Sequence, residues 1–350
     1  MSQVPVLRAL GGGPDLVCGE QMHDHVTHKT LATFAADRVN VPKEVAKARR
    51  DQVSHLRTRL EAYIADHPDY DLVKMRASGS VAKRTAIKSS SDTDIAAYVS
   101  ASSVGGVDVD EAELLPWLRD RCVEVYGATK AADDFQISQH AVGITMKGSG
   151  LKIDVAPVLF EGEADDRGYL ITQSGDRVLT SVTQHLEFLN KRKSEAGAEY
   201  KEFIRLVKAF IARAKYEDDG FRFKSFLAEM VVAHLWDSGW NGEKLVVKNY
   251  PRAFEQFLGY IVVTGLQTPV VFTDYYAATN IAVSQDAIQV WDPVNPNNNV
   301  ACSYTEFDRQ RLVDRAAEAL DQVVWAATAP SAGAAITAWQ SLFGPTFTGV

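Results

Sequence analysis

Hydrophobic and polar positions follow two different periods in the two halves of the chain. Short apolar runs at 73–77 and 95–99 and an alternating run at 151–158 indicate β-strands. From residue 182 onward the apolar positions recur every three or four residues, as on the buried face of a helix. The pattern therefore predicts an α+β protein in which a sheet is followed by a helical half.

Further elements are predicted from the same two periods and from cap and turn residues. The predicted helices cover 27–39, a segment that begins at Pro42, 114–125, 202–211, 223–231, 307–326 and 334–343. The other predicted elements are strands at 136–146 and 288–291, a loop at 101–109, and a hairpin or loop over a cleft at 162–180. We expect a flexible N-terminus at 1–22, a sheet lobe with N-terminal helices at 23–180, and a helical lobe at 181–350 packed around a cleft.

Composition and charge exclude several classes of protein. With 350 residues, 46% of them hydrophobic and 23% charged, the chain predicts a well-formed globular core. The net charge of −8 argues against a uniformly basic nucleic-acid-binding protein. Cys18, Cys122 and Cys302 are scattered, which predicts a reducing compartment and no structural zinc. Because we find no leader and no apolar run of membrane-spanning length, we expect a soluble cytoplasmic protein with no membrane partner.

The segment 78–99 carries the chemistry from which a function can be predicted. Gly79 lacks a Cβ, so the backbone of the Gly79-Ser80 turn can approach a phosphate closely, and the Ser80 hydroxyl can bind it. Asp92 and Asp94 are two residues apart on a predicted strand and therefore point to the same face. Two carboxylates at a strand start are ligands that Mg²⁺ prefers, and Mg²⁺ in turn binds nucleotide phosphates.

A third carboxylate completes the candidate site. Asp154 lies within the alternating strand at 151–158, where an isolated acid is costly unless a metal ion or a partner compensates it. Taken singly, a Gly-Ser pair is typical of an ordinary turn, and Asp-x-Asp is typical of a solvated strand edge. All three features in this order favour a site for phosphate and metal.

Other candidate residues carry less specific signals. Lys208 and Ser225, on two predicted helices, could reach a phosphate, although each alone is typical of a surface residue or a helix cap. His23, His25 and His28 have a spacing that a metal could use, but surface histidines near a helix start are the favoured interpretation.

Two segments leave alternatives open. The helix that begins at Pro42 has a basic face that could contact a phosphate backbone, although such a face is more often simply solvated. That face carries Lys43, Lys47, Arg49, Arg50, Arg57 and Arg59. The Pro- and Asn-rich segment 290–300 either shapes the cleft or is a structural turn.

The motif at 79–94 together with Asp154 resembles the signature of the nucleotidyltransferase superfamily related to DNA polymerase β. The similarity to known families extends from about residue 23 to the C-terminus. Blocks at 205–208, 224–226 and 292–300 resemble those of 2′-5′-oligoadenylate synthetases. The chain looks closer still to the bacterial cGAS/DncV-like nucleotidyltransferases (CD-NTases), and within them to the CdnC-like C clade, through segments 24–30, 79–83, 221–226 and 292–296.

This resemblance implies a fold, an activity and partners. The implied fold is a polymerase-β-like nucleotidyltransferase sheet lobe packed against a helical lobe, with the active site between them. The implied activity is synthesis of a cyclic di- or trinucleotide second messenger, with adenine as the favoured base, from NTPs such as ATP in bacterial anti-phage (CBASS) signalling. The implied partners are a HORMA-domain activator, its AAA+ disassembly partner and a nucleotide-gated effector, with duplex DNA as an activator of some members.

The resemblance also implies roles for the candidate residues. In a two-metal phosphoryl transfer, three carboxylates hold two Mg²⁺ ions, for which Mn²⁺ is a substitute, while further groups bind the triphosphate. The implied metal ligands are Asp92, Asp94 and Asp154, and the implied nucleotide-binding residues are Gly79, Ser80, Lys208 and Ser225. Base selection, ring size and linkage depend on side chains that the spacing does not identify.

Three alternatives compete with this interpretation. The first is a nucleotidyltransferase that adds nucleotides to RNA, a small molecule or a protein without cyclisation; the net charge of −8 disfavours RNA. The second is a degenerate module that senses nucleotide or DNA, which the presence of all three carboxylates disfavours. The third is a structural or interaction protein, which leaves Asp154 in its apolar strand unexplained.

Overall fold

The computed structural model describes residues 25–66, 72–90, 92–100, 111–127, 129–162 and 164–349. Three features of the sequence analysis lie outside these residues: the N-terminus at 1–22 with Cys18, the side chain of His23, and the loop at 101–109. In the described part, no helix is both long and apolar enough to cross a membrane.

Within the described residues the chain forms seven strands and ten α-helices. The strands are β1 (Leu72–Ser78), β2 (Asp92–Ser100), β3 (Phe135–Ile137), β4 (Val142–Met146), β5 (Leu151–Phe160), β6 (Arg167–Ile171) and β7 (Arg177–Ser181). The helices are α1 (His28–Phe34), α2 (Lys43–Asp66), α3 (Gly79–Lys83), α4 (Leu114–Tyr126), α5 (Val182–Ala196), α6 (Ala198–Glu217), α7 (Ser225–Ser238), α8 (Tyr250–Thr264), α9 (Glu306–Ala327) and α10 (Ala332–Phe343). Thr27 caps α1, as predicted, and α1 continues into a π-helical turn at Ala35–Val39.

The strands form one mixed sheet in the order β1-β2-β5-β4-β3, and the β6–β7 hairpin extends the end of β5. The two central strands, β2 and β5, run parallel and pair over their whole lengths, from Asp92 opposite Lys152 to Ser100 opposite Phe160. A parallel pair needs a long crossover, which α4, β3 and β4 supply here. The two strands that carry the predicted acids are therefore direct neighbours at the centre of the sheet.

The two faces of the sheet pack against different parts of the chain. On one face, Ile95, Ala97 and Val99 of β2 join a core with α2 and α4. On the other face, Ala96 and Tyr98 pack near the start of α5. Alternation along β2 places Asp92 and Asp94 on this second face, toward the helical half.

The helical half has its own core, in which α6 and α7 are central. Helix α6 buries side chains on most of its surface, and α8, α9 and α10 pack around it. The N-terminal helix α1 also joins this core through Leu31 and Phe34. The division of the chain near residue 180 stays a prediction; the sheet ends at Ser181, and α1 packs with the helices that follow that point.

Two element predictions need correction. The single strand predicted at 136–146 is two antiparallel strands, β3 and β4, joined by a reversal in which the Ser138 amide donates to the Ala141 carbonyl at 2.8 Å. The strand predicted at 288–291 forms only isolated bridges, between Val290 and Val270 and between Trp291 and Asn299. Both segments contain buried apolar residues, and an apolar pattern alone does not reveal where a ladder ends. The hairpin predicted within 162–180 is confirmed as β6–β7.

Candidate active site

The turn at Gly79 is shaped by the carboxylate behind it. Gly79 has a φ of +61°, a backbone conformation that favours glycine. A Cβ at this position would overlap the Asp94 carboxylate, so the turn and the acid can be this close only because residue 79 is glycine. The short helix α3 follows the turn at once and places Ser80 and Lys83 beside the same carboxylate.

The three predicted carboxylates lie on neighbouring strands at one edge of the cleft. Asp94 of β2 is directly opposite Asp154 of β5, and Asp92 lies two residues earlier on the same face. On the other side of Asp154, Gly143 of β4 leaves space, because a Cβ there would be only 3.0 Å from Asp154 Oδ1. Burial raises the pKa of Asp94, and the charge of Asp154 raises it further, while Lys83 lowers it.

These carboxylates fit a divalent cation by their chemistry. Asp154 Oδ1 is buried and accepts no hydrogen bond, although Lys152 Nζ lies 3.3 Å away as an ion-pair partner. Neighbouring carboxylate oxygens that repel one another are the hard ligands that Mg²⁺ binds. In the conformation described, no three acidic, histidine or cysteine side chains of the described residues form a metal-binding cluster. Asp94 and Asp154 are the pair that would hold an ion, with Asp92 beside them.

A buried carboxylate organises the basic side of the cleft. Glu229 of α7 is only 2% exposed, and it binds Lys208 Nζ of α6 at 2.6 Å and Lys83 Nζ of α3 at 3.0 Å. Thr85 completes this Glu229 cluster, because its hydroxyl donates to Glu229 Oε1 at 2.8 Å. Burial opposes ionisation of Glu229, but the two lysines lower its pKa to about 2. Burial also lowers the pKa of Lys208, whereas the charge of Glu229 acts in the opposite direction and raises it.

All seven predicted site residues line one cleft of about 600 Å³, which we call the phosphate cleft. They are Gly79, Ser80, Asp92, Asp94, Asp154, Lys208 and Ser225. The sequence analysis missed Lys83, Thr85 and Glu229 as site residues, although all three line the same cleft. An acid among the apolar residues of the predicted helix at 223–231 is the signal that could have identified Glu229.

A second cleft of about 790 Å³ adjoins the first and shares Gly79, Lys83, Asp94, Asp154 and Phe226 with it. We call it the base cleft. Its walls are the β6–β7 hairpin, the start of α5, and the loop at 292–303. The Pro- and Asn-rich segment of the sequence analysis therefore lies at the cleft wall, as one of its two interpretations required.

The remaining candidates lie elsewhere. His25 is exposed, and the ring of His28 packs on that of Tyr250 with 4.1 Å between centroids, within the helical half. On the basic face of α2, Lys47 pairs with Asp51 at 2.6 Å, and Arg59 donates to the Val125 carbonyl at 2.6 Å.

Comparisons with known proteins identify relatives that cover nearly the whole chain. No family model matches the chain. The cyclic AMP-AMP-AMP synthase of Escherichia coli strain MS 115-1 is 40% identical over 327 residues, which are 93% of this chain and 99% of that protein. A solved structure of E. coli MS115-1 CdnC with ATP, also 40% identical, has a TM-score of 0.82 and covers 93% of this chain and 100% of that chain. A structure of a complex of E. coli MS115-1 CdnC with a HORMA protein has a TM-score of 0.80 at 39% identity, and the coverage is 93% of this chain and 99% of that one.

The fold predicted from the sequence, a nucleotidyltransferase sheet with a helical half, is confirmed by these matches. The predicted family is confirmed as well. Identity of 40% over nearly the full length of both proteins shows that this chain belongs to the CdnC-like clade of the CD-NTase family, the nucleotidyltransferases that make cyclic oligonucleotides in CBASS systems.

Proposed function

We propose that this enzyme joins ATP into cyclic AMP-AMP-AMP in the phosphate cleft. The observation that carries the proposal is the position of Asp94 and Asp154 side by side on β2 and β5, against the Gly79 turn. The relative that is 40% identical is named for that product, and a similar structure contains ATP.

In this proposal the described residues bind and orient two nucleotides. The Gly79 turn, Ser80 and Ser225 receive the triphosphate of the donor, and Lys83 and Lys208 neutralise its charge. Because two lysines share the single carboxylate of Glu229, their cluster keeps a net positive charge that suits a polyphosphate. Positioning and charge neutralisation supply most of the rate of a phosphoryl transfer.

Each of the three transfers that build the cyclic trimer, the last of which closes the ring, forms one bond and breaks one. A ribose hydroxyl of the acceptor attacks the α-phosphate of the donor, the new P–O bond forms, the bond to the β-phosphate oxygen breaks, and pyrophosphate leaves. Asp154 Oδ1, which accepts no hydrogen bond in this structure, is the proposed acceptor of the hydroxyl proton. In this proposal Asp92, Asp94 and Asp154 would hold Mg²⁺, with Mn²⁺ as the substitute, and a bound ion would supply charge neutralisation and a lower pKa for the attacking hydroxyl.

We also propose a HORMA-domain protein as the activator, because a similar structure is a complex of CdnC with such a protein. Duplex DNA is a second candidate activator, and the basic face of α2 is where its phosphates would bind. The proposed location is the cytoplasm, where NTPs are abundant and scattered thiols stay reduced.

The test is product analysis. The purified chain is incubated with Mg²⁺ and each NTP, alone and mixed, with and without the HORMA protein and duplex DNA, and then with phosphatase before mass analysis. We expect a phosphatase-resistant cyclic trimer of AMP from ATP, and none from the Asp92→Asn variant. Linear products in every tube that contains the wild type, or a cyclic product from Asp92→Asn, would contradict the proposal.

A further inference from the structure

The base cleft contains a second buried carboxylate, Asp292, whose role the proposed reaction does not use. Asp292 is 4% exposed and lies in the loop at 292–303. Its Oδ1 accepts from the Val294 amide at 2.8 Å and bonds to His185 Nε2 at 2.9 Å. Its Oδ2 accepts from Asn298 Nδ2 at 3.2 Å. Asp292 therefore fixes two side chains, from α5 and from its own loop, that both line the base cleft.

The charge of Asp292 decides which atoms of these partners face it. Burial opposes its ionisation, but His185, the Val294 amide and Asn298 hold its pKa below the usual range. An ionised carboxylate can only accept hydrogen bonds, so each partner must donate. His185 then carries its proton on Nε2, and Asn298 turns its amide nitrogen, not its oxygen, toward Asp292.

The consequence appears on the opposite side of the Asn298 amide. Because its nitrogen donates to Asp292, the Oδ1 oxygen of Asn298 points away from that carboxylate. Among the residues that the structure describes, Asn298 Oδ1 has no hydrogen-bond partner, and Asn298 lines the base cleft. Asp292 thus uses the donor of Asn298 and leaves its oxygen as an acceptor for a ligand.

We propose that Asn298 Oδ1 reads the exocyclic amino group of the nucleobase, and that this acceptor selects adenine over bases with a keto oxygen at the same position. The proposal rests on the proposed function, since it assumes that a nucleotide binds here. An adenine amino group can donate one of its hydrogens to Oδ1. A keto oxygen would face the lone pairs of Oδ1 and leave both acceptors without a donor, which is the arrangement that polar sites reject most strongly.

The inference predicts a property of the base and can be tested without turnover. The ligands are the non-hydrolysable α,β-methylene analogues of ATP and ITP. The ATP analogue has an amino group at position 6 of the base, and the ITP analogue has a keto group there and a proton on N1. Their binding to the full chain with Mg²⁺ is measured by titration calorimetry. We expect the wild type to bind the ATP analogue about tenfold or more tightly than the ITP analogue.

One variant and a matched control assign the effect. Asn298→Leu removes the acceptor, and we expect about tenfold weaker binding of the ATP analogue with the ITP analogue unchanged. Asn297→Ala changes an exposed asparagine of the same loop and should keep the wild-type ratio.

The outcomes separate this inference from the proposed function. A wild-type ratio within about twofold of one, or an Asn298→Leu variant with its preference intact, overturns the base-reading role of Asn298. A clear ATP preference in a protein that makes only linear products would overturn the proposed cyclisation and support this role. Because the wild-type ratio is measured without a substitution, it can overturn the role even if Asn298→Leu fails to fold.

Discussion

Two buried acids line adjacent clefts of this enzyme and hold different kinds of partner. Glu229 binds two lysines and a hydroxyl, so its wall of the phosphate cleft carries positive charge. Asp292 binds a histidine, an amide and a backbone N–H, so the Asn298 oxygen is left as an acceptor in the base cleft. In our proposals, the same functional group prepares one surface for phosphate and the other for a base edge. The difference shows that a buried carboxylate sets the polarity of a site through the partners it takes up.

The largest effect is expected at the acids that the two clefts share. Asp94→Asn should lower turnover about 10³-fold, because a charge that the reaction requires is lost. Burial and Asp154 raise the pKa of Asp94, so at neutral pH its charge destabilises the folded state. We therefore expect the Tm of Asp94→Asn to rise. Pyrophosphate release and a thermal melt check both parts. A variant with lower Tm and normal turnover would contradict them.

A methyl group at the Gly79 turn should disturb the same acid indirectly. Gly79→Ala must displace the Asp94 carboxylate and strain a positive φ, which we expect to cost about 1–3 kcal/mol of stability. A shift of about an ångström in a reacting group lowers turnover about 10²-fold. Gly148→Ala is the matched control, since a Cβ there meets no atom within 4 Å. Equal effects of the two substitutions on pyrophosphate release would show that the close approach at Gly79 is unimportant.

The Glu229 cluster is open to a direct test of stability. Glu229→Gln leaves Lys83 and Lys208 without their counter-charge in a buried position, which we expect to cost about 3 kcal/mol. Urea denaturation of the wild type and the variant gives this free energy of unfolding. No measurable difference would mean that solvent already screens the two lysines. In that case, the two lysines would not give the phosphate cleft the positive wall on which the comparison of the two clefts depends.

The smallest expected effect is the pH dependence of the stability difference between the wild type and Glu229→Gln. The folded-state pKa of Glu229 is about 2 and its ordinary value is 4.5, so its stabilisation is complete above pH 4.5 and is lost as the pH falls toward 2. The gap in Tm between the wild type and Glu229→Gln should therefore narrow between pH 6 and pH 3. Thermal melts across this interval check the prediction, and a gap that stays constant would place the stabilisation outside the ionised carboxylate.

The sequence was sufficient to predict that the three acids lie close together, because each acid belongs to a local strand pattern. Asp92, Asp94 and Asp154 each lie in a short strand pattern, and the parallel register of β2 and β5 then brings them together. The Glu229 cluster could not be predicted in the same way, because Lys83 lies 146 residues from Glu229 in the chain and only tertiary packing joins them.

The contacts of the base cleft and the true ends of the strands could not be predicted, for similar reasons. His185 and Asp292 are 107 residues apart, so the sequence left open whether the segment at 290–300 shapes the cleft or is a structural turn. The reversal between β3 and β4 is formed by Ser138-Gln139-His140-Ala141, whose turn residue, Ser138, is a weaker signal than Gly, Pro, Asn or Asp. Three consecutive polar residues, Ser138, Gln139 and His140, interrupt the apolar pattern there, and the prediction continued the strand across that interruption.

The division of roles between the two clefts can be tested with two substitutions and two ligands. Lys208→Met and Asn298→Leu are each titrated with the α,β-methylene analogues of ATP and ITP. We predict that Lys208→Met weakens both analogues by the same factor, and that Asn298→Leu weakens the ATP analogue alone. If Lys208→Met changed the ratio of the two affinities, or if Asn298→Leu weakened both ligands equally, the phosphate and the base would not be read by separate clefts.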